Sequence, residues 1–216
     1  MEMNWKDNCA EIFGSLVLTF LLLKMWMGDV TDADGVITSV STAGLLEWGV
    51  ALTVLWAVFA GADILPVITA SRMLNDQDWE SGLVKIVCQV AGAMGAGVLA
   101  IVASQGDATM VGYAGATEIN TELTHWVTLL VGGGLLHTAL SRTEGWVAGF
   151  AVALAAGVAA MAGALTGAAD LGTMLIGLAD NGSFEKEGAL MFVMNTLAFA
   201  VGAWIAVRVE AELDKA

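Results

Sequence analysis

Four carboxylates are set into strongly apolar sequence as two matched pairs. Glu11 and Glu122, 111 residues apart, each stand at the start of an apolar run. Asp63 and Asp170 each follow a Gly-Ala lead, in Gly61-Ala62-Asp63-Ile64-Leu65-Pro66-Val67-Ile68-Thr69 and in Thr166-Gly167-Ala168-Ala169-Asp170-Leu171-Gly172-Thr173-Met174. Carboxylates placed this way can hold backbone N–H groups, or they can carry charge or protons through a bilayer. Either role requires a partner, because a buried charge is tolerated only when it is paired. The other reactive side chains have no such pattern: Cys88, His125, His137 and Ser141 are dispersed, and no Gly-rich phosphate loop is present. Cys9 and Cys88 lack metal-ligand spacing and read as reduced packing residues. A lone His in a membrane segment reads as a helix-packing hydrogen-bonder. The expectation is a protein that is not an enzyme, with no catalytic residues, cofactor or metal.

The segments that carry the aspartates are too short to cross a membrane. Residues 60–75 contain Pro66 and lead into the polar connector Asn75-Asp76-Gln77-Asp78. This is the pattern of a loop followed by a half-helix, with Asp63 as N-cap and Pro66 in the first turn, where its missing N–H breaks no intrahelical bond. Asp170 is placed to cap Leu171 to Leu178 in the same way. The two breaks are 106 residues apart (Gly61 to Gly167), and Gly92-Ala93 and Gly202-Ala203 repeat 110 apart. Paired interrupted segments in two halves, about 1–108 and 109–216, mark a transport site. Non-helical backbone at membrane depth is tolerated only when it is buried in protein or lines a watery cavity, so two facing half-helices imply a pore.

Composition places these breaks in a bilayer. The chain is 57% hydrophobic, with mean hydropathy +0.76, 26 Gly and one Pro. Six apolar runs, 12–26, 45–60, 83–103, 123–140, 146–165 and 190–207, approach the roughly 20 residues of a membrane-crossing helix. With a cytoplasmic N-terminus and six alternating spans, the inner side receives Lys6, Arg72, Lys85, Arg142, Arg208 and Lys215, and the outer side only Lys24 and Lys186. That bias favours both termini in the cytoplasm and a multi-pass protein of the cell membrane. The outer loops hold much of the acidity behind the net charge of -14, read as solubility in a salty medium or as enrichment of cations. The same charge argues against nucleic acid as a partner. Seven of eight Trp residues, all but Trp56, lie near segment ends, as an interfacial belt requires.

In order and spacing, several strings together resemble the aquaporin family, the major intrinsic proteins. Ala10-Glu11-Ile12-Phe13-Gly14-Ser15 is similar to the first helix of that family, and Cys88-Gln89-Val90-Ala91-Gly92-Ala93 to its third. Glu122 falls where the fourth helix carries a Glu, and Leu165-Thr166-Gly167-Ala168 precedes the second break as Leu-Thr-Gly-Ala does in relatives. The two Asn-Pro-Ala motifs are replaced: Leu65-Pro66-Val67 stands for the first, and Leu171-Gly172-Thr173-Met174 for the second with its following Arg.

The resemblance implies an all-α integral membrane fold of six transmembrane helices plus two re-entrant half-helices in an inverted repeat, forming one channel domain over 1–216. It implies a pore midplane at Leu65, Pro66, Val67, Leu171, Gly172 and Thr173. It also implies a filter of Trp48, Ala159, Ala168 and Met174, wider and less polar than one built on His and Arg. Trp48 reads equally as an interfacial anchor, and Leu45 takes its place if the link before the first half-helix carries no deletion. Glu11 and Glu122 would accept hydrogen bonds from the re-entrant backbone, a role preferred over proton transport. Asp63 and Asp170 would cap the half-helices, either only satisfying backbone donors or also weakening the positive barrier at the pore centre. The expected function is passive diffusion of water or small neutral, glycerol-like solutes, as a homotetramer in the lipid bilayer. A non-conducting structural protein of the same fold and a cation-permeable channel are the alternatives.

Overall fold

The computed structural model describes residues 5–25, 30–31, 37–39, 42–59, 61–103, 119–161, 168–181 and 186–215. Each apolar run forms a helix: α1 (Trp5–Met25), α2 (Thr42–Val58), α4 (Trp79–Ala103), α5 (Leu123–Arg142), α6 (Trp146–Met161) and α8 (Lys186–Leu213). Two shorter helices, α3 (Pro66–Asp76) and α7 (Ala168–Asn181), occupy the two breaks. A minimal antiparallel ladder, β1 (Val30–Thr31) with β2 (Ile37–Ser39), pairs Val30 with Ser39 and Thr31 with Ile37 in the link from α1 to α2. The architecture is therefore essentially all-α. Among the described residues, α4, α5 and α8 are long and apolar enough to cross a membrane.

The distribution of polarity agrees with a membrane-embedded protein. Val87 and Val102 on α4 are 68% and 69% exposed, whereas Glu11 and Gln89 are fully buried. A chain that turns valine outward and carboxylate inward is built for an apolar solvent. Inside, Leu52, Ile64, Ile68, Leu129, Val152 and Phe199 belong to one apolar cluster, and Val90 and Ala93 form a second, with Leu171 and Leu175 against them.

The helices pair as α1 with α4, α5 with α8, α2 with α6, α4 with α7, α5 with α6 and α3 with α8. Exchanging the first four helices with the last four maps these pairings onto one another except α5 with α6, whose counterpart, α1 with α2, is only a slight contact among the described residues. Close approach is set by glycine at two of the repeated positions. A Cβ at Gly92 would run into the backbone carbonyl of Ile12, and one at Gly202 into that of Leu130. Any larger residue there would separate α4 from α1 or α8 from α5.

α3 starts where proline dictates. Leu65 is the N-cap, in extended backbone at φ -106° and ψ 128°, and Pro66 follows it at the head of the helix. The helix stops at Gln77, which takes the left-handed conformation at φ 59°; its side chain donates to the Leu74 carbonyl at 2.7 Å.

Candidate functional site: the first break

The five residues ahead of α3 form a strained turn. Leu65 N–H donates to the Asp63 carbonyl at 2.7 Å, closing a three-residue turn around Ile64, whose φ is +65°. A β-branched residue rarely adopts this conformation, and holding it costs about 1–3 kcal/mol. Glu11 supplies the compensation. One carboxylate oxygen accepts from Asp63 N–H and the other from Ile64 N–H, each at 2.7 Å. Gly14, one helical turn further along α1, leaves room for the Ile64 side chain; a Cβ there would lie 2.8 Å from Ile64 Cγ1.

α4 completes the grip. Gln89 donates from Nε2 to Glu11 at 2.8 Å and to Thr69 Oγ1 at 2.9 Å, and its backbone carbonyl accepts from Ser15 Oγ at 2.7 Å. Lys85, one turn before Gln89, places Nζ 3.1 Å from Asp63 Oδ2 and 3.8 Å from Glu11 Oε1. Thr69 Oγ1 lies 3.2 Å from Asp63 Oδ2, and Arg72 pairs with the other Asp63 oxygen. Glu11 and Asp63 are almost completely buried, Lys85 is mostly so, and Arg72 is half-exposed. Two carboxylates and two cations thus form a closed network that ties α1, the turn, α3 and α4 together. Removing one member of such a buried pair costs about 3–5 kcal/mol, because the other is left uncompensated.

The structure corrects the role expected for Asp63. It does not cap α3: the N-cap is Leu65, which makes no side-chain cap bond, and the Asp63 carboxylate goes to Thr69 Oγ1, Arg72 and Lys85. Instead the Leu65 carbonyl accepts from Ile68 N–H and Thr69 N–H at 3.0 and 3.2 Å. The physical reason is competition, since Arg72 and Lys85 reach the Asp63 carboxylate and a partner with a full positive charge outcompetes a neutral backbone N–H donor.

The other sequence-predicted residues divide by location. Leu65, Pro66 and Val67 are buried, and Leu65 and Val67 share the large apolar cluster with Trp48, which is 6% exposed on α2. Leu171 is half-buried against Val90 and Ala93 in the second cluster, so these described contacts do not join it to Leu65. Gly172 is buried where α7 meets α4, since a Cβ there would come within 2.6 Å of Ala93 Cβ, and Met174 is 2% exposed. Asp170 lies in the first turn of α7, which begins at Ala168, rather than ahead of it. The side chains of Ala159, Ala168, Asp170 and Thr173 are outside the described set, as are Thr166 and Gly167.

Glu122 is the N-cap residue of α5, exposed and making no cap bond through its side chain; the loop it is expected to hold is outside the described residues. Between α5 and α8 the buried polar pair is His125 with Asn195, 3.0 Å apart; by the spacing that matches Glu11 with Glu122 and Gly92 with Gly202, these two fall opposite Gly14 and Lys85 rather than opposite Glu11 and Gln89. Sequence reasoning missed Lys85, Arg72 and Thr69 as members of the site. The available signal was helical spacing, which puts Lys85 on the face of α4 that carries Gln89, and Arg72 on the face of α3 that carries Thr69.

A second polar group, His137 and Arg142 on Glu210, ends a groove of about 510 Å³ between α5 and α8. None of the break residues lines it. Among the described residues no group of three or more His, Cys, Asp or Glu is arranged to hold a metal. In comparison with known proteins, no family model and no curated protein matches the chain.

Proposed function

We propose that the chain is an aquaporin-like channel for passive diffusion of water or small neutral solutes. In this reading six helices, α1, α2, α4, α5, α6 and α8, span the cell membrane with both termini in the cytoplasm. α3 and α7 enter from opposite faces as half-helices of an inverted repeat. The observation that carries it is Glu11, whose two oxygens take consecutive N–H groups of the turn just before a proline-led short helix. Backbone fixed this firmly at the depth of buried helices is what a conduit needs, since the groups facing it must keep their places as molecules pass. The exchange of most helix pairings between the halves, all but α5 with α6, supports the repeat.

The midplane of this pore is apolar, with Leu65 and Leu171 where relatives present Asn. Met174, Ala159, Ala168 and Trp48 set its width, and four copies assemble around separate pores. Asp63 carries no free charge into the pathway, because Arg72 and Lys85 neutralise it. That pairing favours neutral solutes over a cation-permeable channel.

Osmotic swelling of proteoliposomes in a panel of water, glycerol and larger polyols tests the reading. The parent chain should swell faster than empty vesicles, and the double substitution Met174→Arg with Ala159→His should slow polyols at least several-fold more than water. Absence of swelling with every solute would indicate a structural membrane protein instead.

A further inference from the structure

The cluster at the first break holds more charge than support of the turn requires. Glu11 already has three N–H donors, from Asp63, Ile64 and Gln89, so its grip on the backbone does not depend on Lys85. Asp63 binds no first-turn N–H of α3, so its carboxylate has no capping task. A neutral residue would serve the turn equally well, and buried ion pairs give little net stability over apolar replacements. What the arrangement does achieve is cancellation. Glu11 and Asp63 carry two negative charges, and Lys85 and Arg72 carry two positive ones. Of the cations, only Lys85 lies within 4 Å of both carboxylates, and it is the more buried, at 22% exposure against 53% for Arg72. At this depth charges are weakly screened, so an unmatched carboxylate would attract cations over several ångströms.

Resting on the channel reading above, we propose that Lys85 sets the charge selectivity of the pathway beside the first break, excluding monovalent cations by masking the buried carboxylates of Glu11 and Asp63. Lys85→Met leaves one net negative charge in the cluster. Lys85→Arg keeps the balance, and Asp63→Asn combined with Lys85→Met restores it with one pair fewer.

The readout is the ratio of potassium flux to glycerol flux in the same proteoliposomes, which is independent of how much protein inserts. Lys85→Met should raise that ratio at least tenfold, while Lys85→Arg and the double variant stay within about twofold of the parent. A ratio unchanged in Lys85→Met overturns the assignment. Should Lys85→Met fail to insert, Arg72→Met removes the same charge at a half-exposed position and should raise the ratio less but measurably; no rise there also overturns it. A parent chain that passes no glycerol or water overturns the channel reading itself, a result distinct from a conducting parent whose selectivity ignores Lys85.

Discussion

The two halves of the molecule solve the same packing problem with different chemistry. Between α1 and α4 the buried polar contact is Glu11 with Gln89, extended by Asp63, Lys85 and Arg72 into a network of four charges. Between α5 and α8 it is His125 with Asn195, which carries no carboxylate. The short helices differ in parallel. α3 is anchored by side chains that grip the turn ahead of it, whereas α7 lies against α4 through the contact of Gly172 with Ala93. A strained left-handed Ile64 needs directional bonds to hold it, while the described contact of Gly172 with Ala93 is one of shape. Largely symmetric helix pairing is thus compatible with asymmetric electrostatics, and the first half is the one in which buried ion pairs hold a short helix.

The largest effect should follow from removing the centre of the charged network. Glu11→Ala strips the acceptor from Asp63 N–H, Ile64 N–H and Gln89 and leaves Lys85 with one partner, at an expected cost of about 3–5 kcal/mol. Denaturant unfolding in detergent micelles measures this. A loss under 1 kcal/mol would mean that the turn holds itself and that the contrast between the halves is only apparent. A smaller effect is expected at the packed contact. Gly172→Ala places a methyl against Ala93 and forces α7 away from α4, at about 1–3 kcal/mol. Its effect should not change between low and high salt, since no charge is involved, and a salt-dependent loss would place hidden electrostatics in the second half as well.

Much of the scaffold was legible because apolar runs leave the chain few choices. All six runs became helices where they are described, with α1 starting seven residues before its run and α8 ending six residues after its own, and both Gly-Ala breaks carry short helices. Gly92 and Gly202, found by their spacing, are points of close helix approach. The site was only half legible. Glu11 binds the turn as the family resemblance implied, but Asp63 was read as a cap from its neighbours in sequence alone. Its actual partners are Arg72, nine residues on, and Lys85, twenty-two residues on in the next helix. Capping is a local rule, and it yields when distant cations reach the same carboxylate. Lys85 and Arg72 had been weighed only as markers of the cytoplasmic side, a use of charge that ignores which face of the helix carries it. His125 was read as a helix-packing hydrogen-bonder, and it bonds Asn195 on the packed helix α8. The identity of that partner depends on which helices pair, and no spacing in one sequence shows that.

The proposed pore requires α3 and α7 to enter the membrane from opposite faces. Single cysteines at Gln77, just beyond α3, and at Lys186, after α7, report the side directly when Cys9 and Cys88 are first replaced by serine. A membrane-impermeant thiol reagent applied to oriented vesicles should label Gln77→Cys from the cytoplasmic face only and Lys186→Cys from the outer face only. Labelling of both positions from the same face would contradict the inverted arrangement and the pore built on it.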